Sequence, residues 1–169
     1  MGKVFGFDAF KDYYSVDDID NILDQALKVA REVTAPSRDD NELIQAQFNE
    51  GKVTVPPSFK EAYWFLNQNG WGGSNEDEET EGHMPQTLFR ACIEYQMAAN
   101  AALMPYILAT AGAATLITNF GSEHVKNLYK EKMYSGEWSG TMCLTEPNAG
   151  TDVGDLLTRA YPTEVEGIY

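Results

Sequence analysis

Apolar residues recur at helical spacing along most of this chain of 169 residues, and the recurrence ends near residue 134. Such spacing places apolar side chains on one face of a helix, which then packs against neighbouring helices. The strongest stretch runs from residue 86 to 103, with apolar positions at Leu88, Ala91, Cys92, Tyr95, Ala98, Ala99, Ala102 and Leu103. We therefore predict a mainly α chain in which residues 1–134 form a helical bundle of about five helices.

Capping residues and prolines predict where the first helix begins and ends. Ser15 precedes the first periodic stretch and has the side chain of a good N-cap, and Pro36 is predicted to end that helix. The polar stretch 37–57 is predicted to carry a short helix around Leu43, Ile44 and Phe48, followed by an extended run at 52–55.

The later helices have similar boundary signals. Ser58 and Glu61 have the spacing of a capping box, and the helix that they begin is predicted to stop near Gly70. Another helix is predicted to begin near Pro85, and one that restarts at Pro105 should end before residue 121. Ser122 is predicted to cap the last helix of the bundle.

The sequence changes character after residue 134. Turn formers at 135–140 precede a β-prone run at 141–145 and a loop at 146–152, and further strands are predicted at 156–160 and 167–169. Two short strands and the start of a third cannot bury the faces of a β-domain. We therefore expect residues 135–169 to be the beginning of a β-domain that continues beyond this chain.

Composition excludes several classes of function. The net charge of −14 repels phosphate backbones, so the sequence argues against nucleic acid as a partner. Asn100, Pro105 and Gly112 interrupt the most apolar run, which favours core helices over a membrane span. With two cysteines far apart, no signal peptide and no membrane span, the sequence predicts a soluble cytoplasmic protein.

Neither the acidic cluster nor the histidines predict a metal centre. The cluster at residues 76–79 and Glu81 is predicted to be a solvated loop, with a cation site as the alternative. His83 and His124 have no cysteine or second histidine at ligand spacing, so each is interpreted as a surface or helix-cap residue. Cys92 lies on an apolar stripe and is predicted to be an unreactive core thiol.

The segment T-E-P-N-A-G-T-D at residues 145–152 resembles the T-E-P-x-A-G-S-D flavin-binding signature of the acyl-CoA dehydrogenase family. Thr151 stands where serine is usual and keeps the hydroxyl. The stretch 119–126, followed by Gly136 and Glu137, is similar to the F-G-(S/T)-E-x-x-K … G-E pattern that precedes the signature. The resemblance implies an amino-terminal helical domain followed by the first strands of a central β-domain.

The chemistry of this segment suits a flavin dinucleotide. The end of a strand offers backbone N–H and C=O groups, and a glycine-containing turn brings further N–H groups close to a pyrophosphate. By resemblance, FAD is lined by Met142, Cys143, Leu144, Thr145, Gly150 and Thr151. Thr145 would meet the pyrimidine edge of the flavin, while Thr151 would reach the pyrophosphate and lie beside the acyl-CoA. The alternative is a plain hairpin that uses Pro147 and Gly150 as turn residues only.

The resemblance also implies an activity. A family member oxidises an acyl-CoA thioester to the 2,3-enoyl-CoA, passes electrons to an electron-transfer flavoprotein and forms a homo-oligomer. Its catalytic base comes from a carboxy-terminal helical domain, so Glu146 is expected to fix its loop instead of abstracting a proton. The stretch before Ser58 and the string at 152–156 are more similar to the longer bacterial members, which include 3-methylmercaptopropionyl-CoA dehydrogenase.

Two other functions stay open at this point. The chain could be a stand-alone helical interaction module, or part of a related flavin oxidase of the same fold, such as an acyl-CoA oxidase or a nitroalkane oxidase. A nucleophilic Cys143 is a minor alternative, because no base stands beside it in the sequence.

Overall fold

Helices make up most of the described chain, which in this computed structural model comprises residues 6–7, 10–72 and 84–169. The elements are α1 (Val16–Val29), α2 (Ala35–Leu43), β1 (Gln47–Asn49), β2 (Lys52–Thr54), α3 (Pro57–Gln68), α4 (Gln86–Ala99), α5 (Met104–Phe120) and α6 (Glu123–Tyr134). The prediction of a mainly α chain is confirmed. The acidic cluster and His83 lie outside the described residues.

Helices α1 and α2 are joined without a break, so the prediction that Pro36 ends the first helix is wrong. A π-helical turn, Ala30–Thr34, connects them, and Pro36 lies in the first turn of α2. Proline lacks an N–H group and clashes with the preceding turn of an α-helix. The wider π-turn accommodates the proline, and the Ser37 hydroxyl donates a hydrogen bond to the carbonyl oxygen of Thr34 at 2.6 Å.

The predicted caps at Ser15 and Ser122 are confirmed. The Ser15 hydroxyl accepts from the Asp18 N–H at 3.1 Å, and the Asp18 carboxylate accepts from the Ser15 N–H at 2.9 Å. The hydrogen bond with the Ser15 side chain is the main cause that lowers the pKa of Asp18. Ser122 accepts from the N–H of Val125 at 3.4 Å at the start of α6.

The predicted capping box at Ser58 is not formed. Pro57 begins α3 one residue earlier, because its fixed φ suits the first helical position. The Ser58 hydroxyl instead donates to the Asp40 carboxylate of α2 at 2.6 Å. The predicted end of this helix is confirmed, since Gly70 has a φ of +78°, as expected just after a helix end.

A small antiparallel hairpin follows α2. Strands β1 and β2 pair Phe48 with Val53, and both side chains are exposed. Glu50 and Gly51, with φ of +48° and +80°, form the turn. The extended run was predicted correctly, whereas Phe48 lies in β1 and not in the short helix that was predicted there.

Polar side chains join α4 to the rod formed by α1 and α2. The Thr34 hydroxyl donates to Gln96 Oε1 at 2.6 Å, and Gln96 Nε2 donates to the carbonyl oxygen of Ala26 at 3.0 Å. Asn100 Nδ2 donates to the Ser37 hydroxyl at 2.9 Å. Gln96 is fully buried, so these bonds fix how α4 lies against the rod.

Replacing Gln96 by leucine should lower the free energy of unfolding by about 2 kcal/mol, because Thr34 would keep a buried hydroxyl without its partner. The double variant Thr34→Val/Gln96→Leu should recover part of this loss, since both polar groups are then removed. Urea unfolding followed by circular dichroism measures the difference. A Gln96→Leu variant as stable as the wild type would contradict the role of this network.

The strands predicted after residue 140 are not formed in the described residues. Residues 141–145 have no partner strand, an isolated bridge joins Glu146 and Ala149, and Val153–Asp155 is a 3₁₀ turn. A β-strand needs a partner strand for its backbone hydrogen bonds. The N–H groups of Leu157 and Thr158 donate to the Glu146 carboxylate instead. The division into a helical domain at 1–134 and a β-domain from 135 stays a prediction.

None of the helices in the described ranges is both long and apolar enough to cross a membrane.

Candidate functional site

The turn after α6 is held against α3. Gly136 has a φ of +77°, and its carbonyl oxygen accepts a hydrogen bond from the Tyr63 hydroxyl at 3.0 Å. A methyl group on Gly136 would lie 2.6 Å from Asn67 Cγ, so only glycine fits without displacing that side chain. The chain therefore leaves the bundle in a direction that α3 determines.

A second glycine holds the chain against α5 and α6. The Gly140 N–H donates to the Thr110 hydroxyl of α5 at 3.1 Å. A methyl group on Gly140 would lie 2.7 Å from Ala113 Cβ and 2.8 Å from Met133 Cε. Because Gly140 comes two residues before Met142, this contact places the start of the predicted flavin-binding residues, 142–151, on the bundle.

Replacing Gly140 by alanine should lower the free energy of unfolding by about 1–3 kcal/mol, because the added methyl group overpacks a close contact between α5 and α6. Gly112→Ala on α5 is the matched control. Apart from its two chain neighbours and the backbone of its own helix, nothing lies within 4 Å of the added methyl group, so this change should raise stability by about 1 kcal/mol. Thermal unfolding measures both. Equal effects of the two changes would show that Gly140 is not closely packed.

Residues 142–145 form an open edge. Met142 and Leu144 are 65% and 44% exposed, and Cys143 is an exposed free thiol. Within the described ranges, no hydrogen bond engages the backbone N–H or C=O groups of these residues. The segment thus offers apolar side chains beside unpaired backbone polar groups, a combination that suits a flat heteroaromatic ring with a polar edge.

The loop after this edge folds back on itself. The Glu146 N–H donates to the Ala149 carbonyl oxygen at 2.8 Å, and the Ala149 N–H donates to the Glu146 carbonyl oxygen at 3.3 Å. Ala149 is buried, whereas Gly150 and Thr151 are exposed. A methyl group on Gly150 would lie 3.8 Å from Thr145 Cγ2, so the turn brings Thr145 and Gly150 side by side.

The structure thus brings together some of the site residues predicted from the sequence. Thr145 and Gly150 are neighbours in space, Thr151 follows Gly150, and the other three residues, Met142, Cys143 and Leu144, lie along the open edge. The assignment of these six residues to a cofactor stays a prediction. Tyr63, Asn67 and Thr110, which lie against the two glycines from helices distant in the sequence, carry no local sequence signal for this role.

Glu146 fixes the loop, as predicted. Its carboxylate accepts hydrogen bonds from the Leu157 N–H at 2.8 Å and from the Thr158 N–H at 3.0 Å. Hydrogen bonds from Thr158 and Leu157 hold the pKa of Glu146 below its ordinary value. A carboxylate that is occupied and weakly basic is poorly suited to remove a proton from a substrate.

The loop should loosen in acid. Because the folded-state pKa of Glu146 is lowered, its contribution to stability is present above its ordinary pKa and is lost as the pH falls through the lowered pKa. The amide NMR signals of Leu157 and Thr158 should therefore shift with a midpoint below 4.5. A midpoint at or above this value would contradict the two hydrogen bonds.

The remaining titratable candidates do not form a second site in the described chain. Burial raises the pKa of the Cys92 thiol to about 11, which confirms its assignment as an unreactive core residue. His124 lies in the first turn of α6. Among the residues with described positions, no group of three or more histidine, cysteine or acidic side chains could hold a metal ion.

The chain is similar in sequence to several acyl-CoA dehydrogenases. No protein-family profile matches the chain. The chain is 40% identical to a butyryl-CoA dehydrogenase of Syntrophomonas wolfei, and the alignment includes 100% of this chain and 28% of that protein. It is 30% identical, over 91% of its length and 26% of the relative, to the 3-methylmercaptopropionyl-CoA dehydrogenase of Ruegeria pomeroyi.

A broad-specificity linear acyl-CoA dehydrogenase of Mycobacterium tuberculosis is also 30% identical, over 95% of this chain and 26% of that protein. The chain therefore spans about a quarter of the length of these curated relatives. The similarity reaches across the bundle as well as the signature segment.

Proposed function

We propose that this chain, whose curated homologues are acyl-CoA dehydrogenases, is the amino-terminal part of an FAD-dependent enzyme that oxidises an acyl-CoA thioester to the 2,3-enoyl-CoA. The observation that carries the proposal is the T-E-P-N-A-G-T-D segment, held by Gly136 and Gly140 where the chain leaves the bundle. The resemblance to this family implies both the cofactor and the reaction.

The open edge and the loop fit FAD. Residues 142–145 have unpaired backbone groups beside exposed apolar side chains, which suits the isoalloxazine and its pyrimidine edge. Gly150 has no side chain and lies on the surface, so the backbone there is accessible to a pyrophosphate, and Thr151 adds an exposed hydroxyl. Bound FAD would supply the acceptor for the hydride from the β-carbon of the acyl group. Thr151 would also lie beside the acyl-CoA.

The surface of the bundle supports a larger assembly. Helix α5 is apolar around most of its circumference, yet Leu116 and Phe120 are 61% and 82% exposed. Leu128 and Tyr129 of α6 are also exposed. A helix that is apolar all round normally lies in a protein interior, so we propose that further parts of the enzyme, or a second subunit of a homo-oligomer, cover these faces.

The rest of the chemistry would come from outside the 169 residues. Glu146 is engaged by Leu157 and Thr158, so we propose that another part of the enzyme supplies the base that removes the α-proton. An electron-transfer flavoprotein would accept the electrons. The free thiols Cys92 and Cys143 favour a reducing, cytoplasmic location.

A stand-alone helical interaction module is the second candidate, and the exposed apolar faces of α5 and α6 favour it. Such a module would bind a partner through these faces and would use the signature segment only as a turn. A flavin oxidase of the same fold would pass its electrons to oxygen instead of a flavoprotein.

One assay separates these functions. The reading frame that encodes this chain is expressed to its natural stop codon, and butyryl-CoA and longer acyl-CoAs are supplied with either a dye acceptor or oxygen alone. We expect a flavoprotein that reduces the dye and produces little hydrogen peroxide. Rapid peroxide formation would indicate an oxidase, and a protein that contains no flavin and leaves the acyl-CoAs unreacted would overturn the proposal.

A further inference from the structure

Glu146 connects two segments that are distant in the sequence. Its carboxylate accepts hydrogen bonds from two consecutive backbone N–H groups, one on each oxygen. The Leu157 N–H donates at 2.8 Å and the Thr158 N–H at 3.0 Å. A carboxylate that accepts two N–H groups in this way fixes orientation as well as distance, because both bonds must align at once. The segment that contains Leu157 and Thr158 is thereby joined to Glu146 in the signature loop.

The backbone of Glu146 also closes the turn. Glu146 and Ala149 exchange N–H···O=C hydrogen bonds of 2.8 and 3.3 Å, and Ala149 is buried. Thr145 directly precedes Glu146, and Gly150 directly follows Ala149. A movement of Glu146 would therefore displace the residues on both sides of the turn together.

We propose that Glu146 is the positioning residue of this loop, which sets Thr145, Gly150 and Thr151 in the arrangement that receives FAD. The inference rests on the proposed function. Glu146 touches neither cofactor nor substrate in this role. It acts through Leu157 and Thr158, which anchor it, and through the turn that it closes.

The Asp152 turn is a separate local feature. Asp152 Oδ1 accepts from the Gly154 N–H at 3.0 Å and so shapes residues 152–155 without reaching the loop before it. Of the bonds described above, only those of the Glu146 carboxylate link the loop to the segment near residue 157. Removing that carboxylate should free the loop while the Asp152 turn persists.

The test compares three variants of the protein expressed to its natural stop codon. Glu146→Ala removes both acceptors, Glu146→Gln keeps one carbonyl oxygen and loses the charge, and Glu164→Gln removes an exposed charge elsewhere as the matched control. Hydrogen–deuterium exchange of peptides from 152–160 reports on the anchor, and the FAD dissociation constant reports on the loop. Circular dichroism verifies that the helices are unchanged.

We expect Glu146→Ala to speed exchange at Leu157 and Thr158 about tenfold and to weaken FAD binding about tenfold, because charged acceptors make the stronger hydrogen bonds. Glu146→Gln should give intermediate values in both measurements, and Glu164→Gln should match the wild type. If Glu146 acted only as a surface charge, Glu146→Gln would behave like Glu146→Ala in both measurements.

Three outcomes would overturn the inference, and they are distinguishable from one another. Unchanged exchange in Glu146→Ala would show that the anchor does not exist. Faster exchange with unchanged FAD binding would show that the anchor does not position the loop. A wild-type protein that binds no FAD would overturn the proposed function, and the positioning role with it.

Discussion

The 169 residues alone are expected to retain no FAD and to leave an acyl-CoA unreacted. The candidate flavin edge at 142–145 is exposed, and each 1.4 kcal/mol of lost contact weakens binding about tenfold. The net charge of −14 also opposes a pyrophosphate. In the described chain, the one glutamate within the signature is already engaged by Leu157 and Thr158.

The experiment is direct. The purified 169-residue chain is mixed with excess FAD, free ligand is removed, and flavin absorbance is recorded together with acyl-CoA-dependent dye reduction. The protein expressed to the natural stop codon is the control. A yellow 169-residue protein that reduces the dye would show that the base or the flavin contacts have been assigned to the wrong part of the enzyme.

Removal of two hydroxyl groups should have the largest effect on the protein expressed to its natural stop codon. The double variant Thr145→Val/Thr151→Ala is expected to weaken FAD retention about tenfold or more, since a hydrogen bond to a charged group contributes about 1.5–3 kcal/mol. Thr145 lies beside Gly150 in the turn, and Thr151 is the residue after Gly150. Both changes remove a hydroxyl from an exposed position and bury no new surface.

Thr87→Val is the matched control. Thr87 is exposed in the first turn of α4, and this change also removes a threonine hydroxyl, but at a position distant in the sequence from the loop. Equilibrium dialysis against FAD measures retention in all three proteins. A double variant that binds FAD and turns over like the wild type would show that the two threonines do not contact the cofactor.

Local signals predicted some helix ends correctly and failed at Pro36 and at Ser58. Ser15, Ser122 and Gly70 mark helix ends as expected, because a cap depends only on residues within one turn. Pro36 was misjudged because the adjoining π-turn accommodates it. Buried Gln96 was missed because apolar periodicity carries no information about its distant partner Thr34.

In the candidate site too, local patterns predicted the turn but not the interactions with distant residues. The signature names Thr145 and Gly150 as site residues, and the Glu146 turn brings these two side by side, whereas their assignment to FAD stays a prediction. The strands predicted on both sides are not formed, because β-propensity does not supply a pairing partner. The hydrogen bonds of Tyr63 with Gly136 and of Thr110 with Gly140 join residues far apart in the sequence, so no local pattern could have predicted them.

We propose that residues 142–151 receive FAD within an acyl-CoA dehydrogenase. Hydrogen–deuterium exchange of the apoprotein expressed to its natural stop codon, with and without FAD, shows which residues the cofactor covers. We predict that FAD slows exchange in peptides that include 142–151 and leaves peptides from α1 unchanged. FAD binding that protects other peptides and leaves 142–151 unprotected would contradict the claim.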